Sequence, residues 1–112
     1  MMDDTVYKKS LLGERLEKIH KTEHVLLFKD KEIPIISKIT IGRHRKNNIA
    51  IDDKLASRNH AVIQKIKEEY FLKDLNSTNG TFINDKGAPK GKYVKLNKGD
   101  VIRIGKTDIT MS

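Results

Sequence analysis

Neither cysteine nor tryptophan occurs in this chain of 112 residues, and proline occurs only twice. Without cysteine there is no disulfide and no thiolate metal site, a composition that fits a reducing cytoplasm. Aromatic residues are only 5% of the chain. That is thin for a single-strand nucleic-acid binder, which uses aromatic faces as stacking platforms. No apolar run approaches the roughly 20 residues of a membrane span. The longest, such as Val25 to Phe28, have strand length. The N-terminus, Met1-Met2-Asp3-Asp4, is acidic where a signal peptide carries an apolar core. A cytoplasmic protein with no membrane association is expected.

What is plentiful is positive charge. Lys plus Arg is 23 against 15 Asp plus Glu, a net +8. Such a balance favours anionic partners: nucleic acid, phosphate groups or an acidic protein. The length suggests one domain, and a chain this size buries roughly two thirds of its unfolded surface without a disulfide or metal staple.

The hydrophobic pattern changes near residue 24. Residues 8 to 23, KKSLLGERLEKIHKTE, place Leu12, Leu16 and Ile19 at helical spacing among charges. They read as a short amphipathic helix or flexible extension, weakened by Gly13. From His24 the pattern is short and β-like. Val25 to Phe28 and Ile33 to Ile36 flank a charged turn, Lys29-Asp30-Lys31-Glu32. Further strands are expected at Ile39 to Ile41, Ile49 to Ile51, Ala61 to Ile66, Tyr70 to Leu75, Thr81 to Ile83, Tyr93 to Leu96, Val101 to Ile104 and Lys106 to Met111. Residues 86 to 92 read as a Gly/Pro/Lys-rich connection. Pro34 lacks an amide donor, so its strand belongs at a sheet edge. Many short strands with frequent turn signals predict an all-β sandwich or barrel.

Three polar clusters stand at expected strand ends. In Ile41-Gly42-Arg43, Gly42 allows a close backbone approach and Arg43 offers a planar fork of donors. Ser57-Arg58-Asn59-His60 puts a hydroxyl beside a guanidinium. Asp74-Leu75-Asn76-Ser77-Thr78-Asn79-Gly80-Thr81 carries more hydroxyls and amides than a turn needs, since Asn79-Gly80 alone would close a two-residue hairpin.

In this order and spacing, Gly42-Arg43, Ser57-x-x-His60 and the Asn79-Gly80 loop resemble the forkhead-associated (FHA) domain, as does Leu96-Asn97-Lys98-Gly99-Asp100-Val101-Ile102-Arg103-Ile104-Gly105. The resemblance covers residues 24 to 112 and leaves 1 to 23 as an N-terminal extension. It implies a sandwich of two twisted sheets with the functional loops at one end. It also implies a monomeric signalling module that recognises phosphothreonine placed by a Ser/Thr kinase, without catalysis and without a cofactor or metal. Mapped onto matching positions, Arg43, Ser57 and Arg58 would hold the phosphate. Thr78 and Asn79 would contact the peptide, and Gly42, His60 and Gly80 would be architectural. Leu55, two residues before the motif serine, would face the third residue after the phosphothreonine and favour an apolar side chain there. The loop from Asn76 to Thr81 is expected to grip an extended peptide.

Other readings of the same residues are simpler. Arg43 is an ordinary surface arginine in isolation, Ser57 caps a turn, and His60 is a structural histidine at a strand start. His20 and His24 stand four apart, as in some zinc sites, but no further ligand cluster accompanies them. Asp74, Ser77 and His60 are triad-type residues without a nucleophile elbow. Two rival functions remain: a nucleic-acid binder using the basic surface, and a scaffold that binds unphosphorylated protein through a sandwich face.

Overall fold

The computed structural model describes residues 24–112. The helix expected over residues 8–23 lies outside the described residues.

Alternating burial organises the chain into eleven strands among the described residues, with no helix. They are β1 (Val25–Phe28), β2 (Lys31–Pro34), β3 (Lys38–Gly42), β4 (Ile49–Ala50), β5 (Ala61–Ile66), β6 (Glu69–Asp74), β7 (Phe82–Ile83), β8 (Lys86–Gly87), β9 (Tyr93–Leu96), β10 (Val101–Ile104) and β11 (Thr107–Met111). A six-stranded sheet runs β2-β1-β11-β10-β7-β8 and a five-stranded sheet runs β4-β3-β5-β6-β9. The strand pairs are antiparallel except β3–β4, which is parallel. The expected β-sandwich is therefore the observed one.

The inner faces meet in one core. Leu26, Ile102 and Ile109 from the first sheet and Ile41, Ile63 and Leu72 from the second are fully buried within it. Each such side chain contributes roughly 1.5–3 kcal/mol of burial free energy. Pro34 lies in β2, an edge strand, as its missing donor requires.

Two local expectations are corrected, and the simpler hairpin reading of Asn79-Gly80 is set aside. The first strand pair closes tightly, with Phe28 opposite Lys31, so Lys31 and Glu32 belong to β2 and Ile35 and Ile36 lie beyond it. The edge position explains this, because exposed charges are tolerated there. Asn79-Gly80 closes no hairpin, because β6 and β7 lie in different sheets and the loop between them crosses the sandwich. The two-residue hairpin falls instead at Asn84-Asp85, between paired Ile83 and Lys86. Both residues have positive φ (51° and 67°), the signature of a type I′ turn. Its second strand, β8, lies in the stretch expected to be a connection.

Candidate functional site

The three polar clusters converge at one end of the sandwich. Arg43 follows directly on β3, and its backbone N–H donates to the Ser57 carbonyl at 2.9 Å. Its Nε donates to the Ala56 carbonyl at 3.0 Å, which aims the guanidinium, and neither Nη has a partner among the described residues. Arg43, His44, Arg45 and Arg58 line one depression. The backbone packing beneath it explains Gly42. A Cβ there would overlap the Arg58 carbonyl and stand 2.8 Å from Asn47 Nδ2. That carbonyl in turn accepts from Asn47 Nδ2 at 2.8 Å and from the His44 N–H at 3.3 Å.

Ser57 is half-buried beside Arg43. Its Oγ accepts the Thr78 N–H at 3.1 Å, which leaves the hydroxyl proton to donate outward. Asn79 is exposed, and its Nδ2 donates to the Leu55 carbonyl at 2.9 Å, tying the two loops together. One N–H and the amide oxygen of Asn79 remain to meet a peptide main chain.

His60 lies fully buried under these loops. Its Nδ1 accepts the Ser57 N–H and its Nε2 faces the Gly80 carbonyl, both at 2.9 Å. Because Nδ1 is an acceptor, the ring proton sits on Nε2 and is donated to Gly80. Gly80 has φ 87°, a conformation that favours glycine.

The hydroxyl-rich loop divides its side chains between two tasks. Thr78 and Asn79 are exposed, whereas Ser77 and Thr81 turn inward. Both buried hydroxyls donate to Asp74 Oδ1 at 2.6 Å, and the Ser77 N–H donates to Oδ2 at 2.9 Å. The expectation that the whole loop faces a peptide is thus corrected. A carboxylate at the inner end of β6 must be satisfied, and these two hydroxyls satisfy it. Burial raises the pKa of Asp74, but the hydrogen bonds from Ser77 and Thr81, with His60 nearby, outweigh it and hold the carboxyl below its ordinary value. The Ser77 hydroxyl is a buried donor to a carboxylate, and His60 Nε2 points at Gly80, so the three residues form a clamp on the loop.

A second groove adjoins the first. Leu55, Asn79, Phe82, Asp85, Arg103 and Gly105 line it. Leu55 and Phe82 are its exposed apolar members. Arg103 is held by Asp85 at 2.6 Å and by Asp108 at 3.4 Å. The Leu55 loop is fixed by Asp53, whose carboxylate accepts the Leu55 N–H at 2.9 Å and the Lys106 N–H at 2.8 Å. Those two backbone bonds hold the Asp53 pKa below its usual value.

The model of the FHA domain family matches residues 39–105, more than half of the chain. The chain belongs to the FHA domain family. An oxoglutarate dehydrogenase inhibitor of Corynebacterium jeikeium is 42% identical over 65 residues, which are 58% of this chain and 43% of that protein. Human sarcolemmal membrane-associated protein is 31% identical over 97 residues, 81% of this chain and 12% of that one. The chain thus spans less than half the length of these curated relatives. Among solved structures, an FHA domain from an analysis of phosphothreonine-dependent FHA interactions is similar with TM-score 0.71 and 30% identity. The similarity covers 80% of this chain and 94% of that one. EmbR of Mycobacterium tuberculosis, solved with a low-affinity phosphopeptide, is similar with TM-score 0.75 and 26% identity over 93% of this chain and 30% of that chain.

Within this FHA domain, the sequence pattern brought Arg43, Ser57, Arg58, Thr78 and Asn79 to one rim, with Leu55 on the neighbouring groove. It missed Asn47, Asp53 and the buried role of Asp74. A short-range signal existed for Asp53 and Asp74, since Asx residues cap the backbone N–H two or three residues on. For Asn47, which donates to the His44 carbonyl three residues back, none existed for its second contact, with Arg58 eleven residues away.

Proposed function

We propose that residues 24–112 form a phosphopeptide-reading module that binds threonine-phosphorylated protein without transforming it. The observation that carries this reading is the pairing of Arg43 and Ser57. Among the described residues, one contributes two guanidinium nitrogens without a partner and the other a hydroxyl proton without an acceptor, side by side at an exposed rim. A phosphothreonine brings about −1.5 to −2 charges and three strong acceptor oxygens. Arg43, Ser57 and Arg58 are suited to accept it, and hydrogen bonds to charged groups contribute roughly 1.5–3 kcal/mol each. Less the cost of ordering the peptide, that suggests a free energy of about −8 kcal/mol, a micromolar and reversible interaction. Thr78 then helps form the pocket around the phosphothreonine, Asn79 meets the peptide backbone, and Leu55 faces a later side chain. The similarity to an FHA domain studied for phosphothreonine-dependent interactions and to EmbR solved with a phosphopeptide supports the same reading. On this reading the module works as a monomer in the cytoplasm, downstream of a Ser/Thr kinase.

The test is a titration of wild type and Arg43→Ala with a phosphothreonine peptide and with an oligonucleotide at two salt concentrations. Loss of a charge-assisted bidentate contact costs 2–5 kcal/mol, about thirtyfold or more in affinity. A nucleic-acid binder would spread its affinity over many lysines and lose it steeply with salt. Full peptide affinity in the variant, or binding of the oligonucleotide alone, overturns the proposal.

A further inference from the structure

The two outer faces of the sandwich differ in charge. On the six-stranded sheet, Arg103 is paired with Asp85 and Asp108, so its charge is matched locally. On the five-stranded sheet, register aligns Thr40, Val62, Lys73 and Tyr93 in one row across β3, β5, β6 and β9. The next row is Lys38, Gln64, Phe71 and Lys95. Directly opposed residues share a face, and the inward face is already filled by Ile39, Ile63 and Leu72. These rows therefore point outward. Val62 shows the consequence: it is buried, at 6% exposure, yet stands outside the core cluster, because its own row covers it.

At the β9 edge of this face Phe71 and Tyr93 meet edge to face, with ring centroids 6.4 Å apart and planes at 80°. Tyr93 is 48% exposed. Lys73 Nζ lies 5.2 Å from the Tyr93 ring centroid. The face carries three lysines against one acid, Glu69, which pairs with Lys95 at 2.9 Å. Among the described residues no carboxylate pairs with Lys38 or Lys73.

We propose that this face is a second docking surface, and that it takes an acidic protein segment bearing an apolar side chain. The surplus lysines supply the complementary charge, and the Phe71–Tyr93 pair supplies the apolar seat. The surface is continuous with the candidate site: Lys73 immediately precedes Asp74, from which the Ser77–Thr81 loop departs. A partner gripped at the loops would pass onto it. A nucleic-acid strand fits less well. The two rings are perpendicular and Lys73 lies over one of them, so they offer no stacked platform for successive bases. The inference stands independently of the phosphothreonine reading.

The probe is a short synthetic peptide of Glu, Leu and Phe, titrated into the protein and followed by amide chemical shifts. The expected result is movement of Val62, Phe71, Lys73 and Tyr93, which persists in Arg43→Ala. The double variant Lys38→Glu/Lys73→Glu should weaken that binding about tenfold, as the sum of two modest surface charge terms. Tyr93→Ser should weaken it as a second, uncharged variant. Both should keep the phosphothreonine-peptide affinity of wild type. Shifts confined to Arg43, Ser57 and Arg58 would overturn the proposal. So would equal response of the sheet face to a Lys, Leu and Phe peptide or to an oligothymidylate. If the phosphothreonine reading alone fails, the phosphopeptide does not bind while the sheet-face shifts remain.

Discussion

His60 and Ser57 are joined by a 2.9 Å hydrogen bond in which the ring Nδ1 accepts the serine N–H. The other ring nitrogen reaches the Gly80 carbonyl across twenty residues of sequence. One buried ring thus fixes both loops of the candidate site. His60→Ala leaves a backbone donor and a backbone acceptor unpaired in a buried place. The expected loss is about 2–4 kcal/mol of stability, read from urea unfolding. A loss below about 0.5 kcal/mol would show that water replaces the ring at no cost.

Asp74 gives the fold a pH dependence of known sign. Its folded pKa is lowered because the hydrogen bonds from Ser77 and Thr81 outweigh the effect of burial. A carboxyl with a depressed folded pKa contributes stability that is fully present above its unfolded value, about 3.9. That contribution is lost as pH falls from there through the folded value. Unfolding free energy should therefore drop below about pH 4, and Asp74→Asn should flatten that part of the curve while destabilising the protein at neutral pH. An unchanged acid limb in the variant would assign the effect to other carboxyls.

Ser57→Ala and the choice between phosphothreonine and phosphoserine test the rim in finer steps. The substitution removes one ligand donor and also the acceptor of the Thr78 N–H. It should weaken phosphopeptide binding by roughly 1–2 kcal/mol, less than Arg43→Ala. The threonine methyl should add about 0.8 kcal/mol where it packs near Thr78 and Asn79, or at least about fourfold in affinity. Calorimetry on matched peptides measures both, and equal binding of the two phosphoresidues would count against a fitted methyl pocket.

Leu55 should set the preference for the third residue after the phosphothreonine. It forms an apolar wall with Phe82, while the cation nearest to it in the groove, Arg103, is held by two aspartates. A phosphopeptide library should enrich apolar side chains there, and Leu55→Arg should shift the preference toward Asp and Glu. Strong enrichment of Asp in wild type that survives Leu55→Arg would remove the residue from this role.

The sandwich was legible because its strands alternate. In β6, Tyr70, Leu72 and Asp74 face inward while Phe71 and Lys73 do not, a period-two pattern visible in the sequence. Strand β8 was hidden because Lys86–Gly87 is exposed throughout and held only by backbone pairing to Phe82–Ile83. The Asn84-Asp85 turn that forms it was eclipsed by the stronger hairpin signal of Asn79-Gly80. That signal misleads because the loop's destination is another sheet, and no local rule encodes which sheet a strand joins. The same limit applies to Ser77 and Thr81. Their hydroxyls resemble ligand contacts until the strand register turns the Asp74 carboxylate beneath them.

The crossing of the β6–β7 loop from one sheet to the other has a mechanical consequence. The loop is a strap across the open end of the sandwich, anchored on the five-stranded sheet at Asp74 and on the six-stranded sheet at Phe82. A ligand that immobilises Thr78 and Asn79 therefore clamps two layers at once. Amide exchange in β11, on the six-stranded sheet but outside both grooves, should slow when the rim is occupied, because the immobilised strap resists opening of the layers. Occupancy of the rim is then transmitted through the sandwich as resistance to layer separation.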